Sequence, residues 1–246
     1  MDKTLLKGLQ VLDYVVRANR NVRIIEVAAE LDLTKSNAYR ALKTLESAGY
    51  IRQDPSTKDF TPSLLLWELG ALVVERFDLR GRANETLHWL SAQCRETVHL
   101  AVRDGTEVVF IDKIDSLEPV AAYSRLGGRA PAAAGATGKA LLSQLPRPEL
   151  DRVLVNLTKY TDNTITDPER LKAELARARE LDYAINRGEI REGVWGLGSV
   201  IRYPNGTPAA AVGISGPQFR IDKDGRCAEL AELVKTAAQR ISAALR

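Results

Sequence analysis

Lys35, Ser36, Asn37, Tyr39, Arg40 and Lys43 are the residues of this chain whose types and spacing point most directly to chemistry. Lysine and arginine pair with phosphate oxygens, and serine and tyrosine hydroxyls add neutral hydrogen bonds to the same groups. Asparagine and arginine can also bond base edges through two atoms at once, which makes Asn37 and Arg40 the candidates for sequence readout. The chemistry would be recognition of a DNA duplex, provided these side chains share the outside of one helix.

The surrounding residues predict such a helix. In 23–51, Ile25, Ala28 and Leu31 recur three apart along one helical stripe, and Asp32 breaks the apolar run before Leu33. Thr34 is a good N-cap, since its hydroxyl can accept from a free backbone N–H of the next turn. From there Ala38, Leu42 and Leu45 give one buried face, which leaves the six candidates and Thr44 on the other sides. Gly49 stands where a C-capping glycine belongs. Two short helices joined by a tight turn are a helix-turn-helix. Tyr50-Ile51-Arg52 then reads as a strand and 54–58 as a hairpin turn, together a wing. Leu5, Leu9, Leu12 and Val16 supply a preceding helix to close a three-helix core. An ordinary amphipathic helix pair with a solvated polar face is the plain alternative, and the wing and preceding helix weigh against it.

Composition bounds the rest. The chain has 246 residues, 45% hydrophobic and 27% charged, enough for two ordinary globular domains. The net charge is only +3, so no broad cationic surface is implied, but 34–53 holds Lys35, Arg40, Lys43 and Arg52 against Glu46 alone. That local excess suits a compact DNA footprint. Cys94 and Cys227 are far apart and form no CxxC pair, and His88 and His99 are the only histidines. No metal site, disulfide framework or cofactor is therefore expected. Cys94 reads as a small buried helix residue. The N-terminus lacks a signal-peptide pattern and no apolar run is long enough to span a membrane, so a cytoplasmic protein is expected.

Beyond the wing, 64–77 is an apolar helix that follows the start signal Thr61-Pro62-Ser63. It needs a cover, either the second domain or another subunit. The second domain begins near Asp78 with a helix over 79–95 buried through Ala83, Leu87, Leu90 and Cys94. Strands are expected at 97–102 and 107–111, joined by the hairpin dipeptide Asp104-Gly105, with a third at 119–124. Helices follow at 135–143, 147–156 and 167–181. Strands return at 183–186, 197–203 and 208–215, with the hairpin turn Asn205-Gly206 between the last two, and a long helix runs over 223–245. This mixture predicts an α+β fold with helices on an antiparallel sheet.

Apparent catalytic motifs fail. Residues 133–140, AAGATGKA, resemble a phosphate-binding loop, but Ala133 replaces the first glycine and Ala140 the magnesium-binding hydroxyl. Gly213-Ile214-Ser215-Gly216 is one residue short of a nucleophile elbow. The spacing of Gly193, Gly196 and Gly198 does not fit a dinucleotide fingerprint. His99 lies inside an alternating strand and reads as structural, His88 lies on a charged helix face, and no carboxylate pair demands acid–base work. No catalytic residue is assigned. The rival readings are an enzyme, or a protein-interaction scaffold, whose helix-turn-helix serves only for packing.

From end to end the chain resembles the IclR family of bacterial transcriptional regulators. The matching segments are LLKGLQVLDYVV, IIEVAAELDLTKSNAYRALKTLESAGYI, ETVHLAVRDGTEVVFIDKIDS, GRAPAAAGATGKALLS, YTDNTITDPERLKAEL and AAAVGISGP, in order and at matching spacing. The resemblance implies a winged helix-turn-helix domain (1–62), a linker helix (63–78) and a GAF-like effector-binding and oligomerisation domain (79–246). It implies homodimers, or dimers of dimers, on double-stranded operator DNA. It also implies an effector pocket lined by Ala136, Thr137, Asn186, Val194, Trp195, Gly196, Gly213 and Ser215. A helix N-terminus, small residues and hydroxyls would suit a carboxylate there, although each small residue would equally permit close packing. The chain departs from the family's pattern at Asn186-Arg187-Gly188-Glu189, where many relatives are more acidic, and at Trp195-Gly196, where Arg-Cys is common. The gain of Arg187 favours an anionic ligand, and Trp195 is either a stacking surface, a narrowing of the cavity or plain core. The expected effector is a small organic carboxylate, aromatic acids included. Its binding would alter the packing of the second domain on the 64–77 helix, and with it the spacing of paired recognition helices.

Overall fold

The computed structural model describes residues 2–75 and 79–245, and the chain divides into two compact units, Met1–Phe77 and Asp78–Arg246. The first unit holds α1 (Lys3–Arg17), α2 (Ile24–Glu30), α3 (Lys35–Ser47), the two-stranded hairpin β1 (Ile51–Gln53) and β2 (Phe60–Pro62), and α4 (Leu65–Glu75).

Side-chain caps start its helices. Asp2 accepts from the N–H groups of Thr4 at 2.8 Å and Leu5 at 3.2 Å, Glu26 reaches back to Arg23 N at 2.7 Å, and Thr34 Oγ1 accepts from Asn37 N at 3.2 Å. The turn between α2 and α3 places Asp32 at φ 48°, a left-handed conformation that its short polar side chain tolerates. Gly49, at φ 83°, ends α3 as expected. Asp54 shapes the wing turn by accepting from Ser56 N at 2.8 Å and Thr57 N at 2.9 Å, and Val22 adds a backbone bridge to Phe60. Val11, Val15, Val22, Val27, Ala38, Leu42, Ile51 and Phe60 form the core.

Two expectations are corrected here. The buried residues of α1 are Val11 and Val15, while Leu5, Leu9 and Val16 are exposed and Leu12 only packs at the edge. In α2, Val27 is buried and Ile25 is exposed, with Ala28 and Leu31 packed at the margin. Both helices carry two apolar stripes, and periodicity alone does not say which one meets the core. Along α4, Leu64 just before it and Trp67, Leu69, Leu72 and Val73 within it are exposed. Its expected end at Phe77 lies outside the described residues.

The second unit holds α5 (Leu79–Cys94), β3 (Thr97–Asp104), β4 (Glu107–Ile114), β5 (Arg129–Pro131), α6 (Ala136–Leu142), α7 (Arg147–Val153), α8 (Pro168–Leu181), β6 (Ala184–Arg187), β7 (Val194–Arg202), β8 (Pro208–Pro217), α9 (Gln218–Ile221) and α10 (Arg226–Ala244). The strands form one antiparallel sheet in the order β5-β4-β3-β8-β7-β6. One core joins α5 and α10 to Val98, Leu100, Leu197, Val212 and Ile214 of the sheet. A second joins α6, α7 and α8 to Ala101, Val108 and Ala211. Alternation along β3 separates the two layers: Val98 and Leu100 serve the first, Ala101 the second.

Gly105 and Gly206 adopt φ 64° and 82° in the two expected hairpin turns. Cys94 ends α5 fully buried, where burial pushes its thiol up to about 11. The third strand, expected at 119–124, forms instead at Arg129–Pro131. Side chains hold the 120–124 carbonyls: Arg220 donates to Val120 O at 2.8 Å, Thr97 Oγ1 to Ala122 O at 2.9 Å and Lys113 Nζ to Ser124 O at 2.8 Å. Gly127, at φ 71°, then turns the chain back so that Arg129, Ala130 and Pro131 pair with Val109, Val108 and Glu107.

Candidate functional site

The first unit offers an exposed helical face. Lys35, Ser36, Tyr39 and Arg40 are exposed, and Asn37 and Lys43 are half-buried. Arg40 donates to Asn37 Oδ1 at 2.6 Å, so the two base-edge candidates stand side by side one turn apart. Lys43 pairs with Glu46 along the helix. Ala38 and Leu42 sit fully buried beneath them, so the core fixes which way this face points.

The second unit contains a cavity of about 410 Å³ on the α6 side of the sheet. Ala136, Thr137, Asn186, Val194, Gly196 and Ser215 line it, all from the expected set. His99, Phe110, Tyr123, Ser124, Arg125, Arg129, Ile190 and Arg191 join them. No aspartate or glutamate lines it among the described residues. Arg129 is paired with Asp104 at 2.6 Å and Glu107 at 3.1 Å, whereas Arg125 and Arg191 make no ion pair among the described residues. At one wall His99 lies between two hydroxyls, with Nε2 2.6 Å from Ser215 Oγ and Nδ1 3.2 Å from Ser124 Oγ. Burial first, and the Lys113 charge second, pull His99 down to about 4, against a smaller opposing effect of Asp115.

Trp195 and Gly213 do not line the cavity. Strand alternation sends the Trp195 side chain to the opposite side from Val194 and Gly196, where it packs on the α5–α10 core and lies 6.0 Å from the Arg187 guanidinium. Arg187 is likewise outside the lining, 3.4 Å from Glu174. The positive charge at the cavity comes from other arginines. Gly213 sits under α6: a Cβ there would meet Thr137 Cγ2 at 2.7 Å and Leu197 O at 2.6 Å. A Cβ on Gly198 would meet the α6 backbone itself, at 2.7 Å from Thr137 N. These glycines let α6 approach the sheet. Beneath α6, fully buried Lys139 donates to Glu189 Oε1 at 2.6 Å, and Asn186 Oδ1 holds Glu189 N at 2.8 Å. The lysine of the apparent phosphate-binding loop is thus a buried structural cation.

Sequence reasoning missed His99 as a lining residue, together with Ser124, Arg125 and Arg191. One signal was present: a histidine at an inward position between Thr97 and Ala101 of a strand. The others sit in irregular segments that no period marks.

A helix-turn-helix with an exposed polar recognition face, on a chain that also encloses a small-molecule cavity, defines a ligand-responsive DNA-binding regulator. The chain belongs to the IclR family of bacterial transcriptional regulators. The model of the IclR helix-turn-helix domain matches residues 4–55, and that of the bacterial transcriptional regulator IclR C-terminal region matches residues 71–243. The chain is 34% identical to the HTH-type transcriptional regulator KdgR of Escherichia coli K12, over 91% of this chain and 86% of that one. It is 33% identical to the regulator XynR of the same organism, over 97% and 95%. Among solved structures, the Thermotoga maritima IclR aligns with a TM-score of 0.81 at 35% identity over 98% of each chain. An IclR homologue from Microbacterium hydrocarbonoxydans, solved with 4-hydroxybenzoate, aligns with a TM-score of 0.85 at 25% identity over 99% of each. No helix among the described residues is long and apolar enough to cross a membrane.

Proposed function

We propose that this regulator binds operator DNA through Lys35, Ser36, Asn37, Tyr39, Arg40 and Lys43, and that a small organic carboxylate in the second unit's cavity controls that binding. The observation that carries the effector class is the cavity lining: Arg125 and Arg191 without an ion pair among the described residues, the hydroxyls of Ser124, Thr137 and Ser215, the aromatic rings of Phe110 and Tyr123, and no acidic side chain among the described residues. A carboxylate would pair with these exposed arginines, and the rings would accept an aromatic body. The 4-hydroxybenzoate of the Microbacterium homologue supports the same class. Ala136, Thr137, Asn186, Val194, Gly196 and Ser215 are the expected ligand contacts; Trp195 and Gly213 act through packing.

Residues 1–62 would then be the DNA reader, 63–78 the linker and 79–246 the effector and oligomerisation part. A homodimer, alone or paired, is the expected assembly. Its support is the apolar surface left on the first unit by Leu5 and Leu9 of α1 and by Trp67 and Leu72 of α4. In this reading the protein regulates and does not catalyse.

The deciding experiment is a mobility shift of the purified protein on the DNA flanking its own gene, across a salt series. A discrete complex that survives competitor DNA, weakens steeply with salt and responds to an aromatic acid is the expected result. The absence of any complex, with turnover of a small acid, would replace this reading by the enzyme one; salt-insensitive protein capture without DNA affinity would replace it by the scaffold one.

A further inference from the structure

Arg40 donates through Nη2 to Asn37 Oδ1 at 2.6 Å, one turn earlier on α3. A guanidinium carries donors only, so the Asn37 amide must turn its oxygen toward Arg40 and its NH₂ away. That bond changes what the asparagine can offer a base. Asparagine reads adenine through two atoms, accepting from N6 while donating to N7. The Asn37 oxygen keeps a second lone pair, but an adenine N6–H₂ brought to it would meet a cation and its N–H groups at the same oxygen. The group left free is the amide NH₂, beside a guanidinium with further N–H groups to spare. The rest of the face leans the same way. Lys35 and Lys43 only donate, Glu46 is taken by Lys43, and Thr44 gives its hydroxyl hydrogen to Arg40 O at 2.8 Å. Of the six candidate contacts, only the Ser36 and Tyr39 hydroxyls accept freely.

We propose that Asn37 and Arg40 act as one donor unit that reads two neighbouring G·C pairs of the operator through guanine N7 and O6, and that Asn37 does not read adenine. This inference rests on α3 being the DNA-reading helix. Guanine sets two acceptors side by side in the major groove, whereas adenine and cytosine each present an amino group there and thymine a single acceptor. Three residues along a helix advance about 4.5 Å, close to the base-pair rise of about 3.4 Å, so the two side chains address adjacent steps. The Asn37 oxygen also holds the guanidinium in place before DNA arrives, which lowers the cost of ordering a long exposed side chain on binding.

The test is selection of duplexes from a random library by the full chain, repeated with Arg40→Ala, Asn37→Ala and the double variant. The parent is expected to enrich two adjacent G·C pairs, and both single variants should relax those same two positions. Replacing the guanine that Arg40→Ala relaxes, by adenine or by 7-deazaguanine, should weaken the parent about tenfold or more. The double variant should bind the selected duplex within about twofold of Arg40→Ala, because one unit is lost only once. An A·T pair at the position that Asn37→Ala relaxes would overturn the inference while leaving α3 as the DNA reader. So would single losses that multiply in the double variant, or an Arg40→Ala loss that is equal on random DNA. If the library enriches no sequence, or if every variant binds the selected duplex as the parent does, the reading of α3 falls and this inference with it. The 7-deazaguanine arm uses the unaltered protein, so a variant that fails to fold does not remove the test.

Discussion

The candidate DNA contacts sit within three turns of α3, whereas the cavity is assembled from β3, β4, the 122–130 segment, α6, β6, β7 and β8. The first site is a surface on a finished scaffold: Lys35 and Arg40 are open to solvent, Lys43 is half-buried, and the direction of the face is set by Ala38 and Leu42. The second site is part of the scaffold. Its wall contains a buried histidine, and behind the lining lie glycines packed against a helix backbone and a fully buried lysine paired with Glu189 and Glu174. The contrast implies that recognition can change by substitution on α3 at little cost in stability, while the cavity cannot change without disturbing the fold around it.

The strongest way to break this comparison is to strand a buried charge beneath α6. Lys139→Ala leaves Glu189 without its cation and should lower unfolding stability by about 3–5 kcal/mol in a urea titration. Lys139→Met combined with Glu189→Leu should recover much of the loss. A Lys139→Ala protein as stable as its parent would mean that the packing behind the cavity is as tolerant as the α3 surface.

Next in size is the pH response of the cavity wall. His99 titrates at about 4 in the folded protein, against about 6.5 when unfolded. Between these values the unfolded chain binds the extra proton, so folding stability rises with pH across that window and falls as the medium is acidified through it. The loss on going from pH 6.5 to 4 should approach about 3 kcal/mol. His99→Leu should flatten this part of the profile, and His88→Gln, at an exposed position, should leave it intact. A profile unaffected by His99→Leu would show that the wall carries no such cost.

On the surface side, Arg40→Ala should cost about 1–3 kcal/mol of operator affinity and relax specificity at one base pair. Its stability should stay within about 0.5 kcal/mol of the parent. Equal losses on operator and random DNA would make Arg40 a phosphate contact. The smallest effect sharpens the boundary between the two kinds of site: Thr34→Ala removes the hydroxyl that caps α3 and should cost about 1 kcal/mol of stability. DNA binding should fall no further than that loss of folded protein explains.

What the sequence determined by itself was everything carried by local periodicity and turn chemistry. Thr34, Ala38, Leu42 and Gly49 placed the recognition helix and its exposed face, because caps and helical stripes are written within a few residues. Asp104-Gly105 and Asn205-Gly206 placed two hairpins for the same reason, and segment-by-segment resemblance placed Ala136, Thr137, Asn186, Val194, Gly196 and Ser215 in the cavity lining. Tertiary structure decided the remainder. Val11 rather than Leu9 entered the core of the first unit because α1 offered two apolar stripes and only its neighbours could choose between them. Trp195 left the cavity because strand register sent it to the other face, and Gly213 was claimed by the close approach of α6. Residues 119–124 did not become a strand because Arg220, Thr97 and Lys113, distant in the chain, took their carbonyls. His99 moved from a bland strand position to the centre of the cavity wall only when Ser124 and Ser215, from two other segments, closed on its ring. Long-range contacts settled each of these, and no local pattern encodes which distant partner arrives.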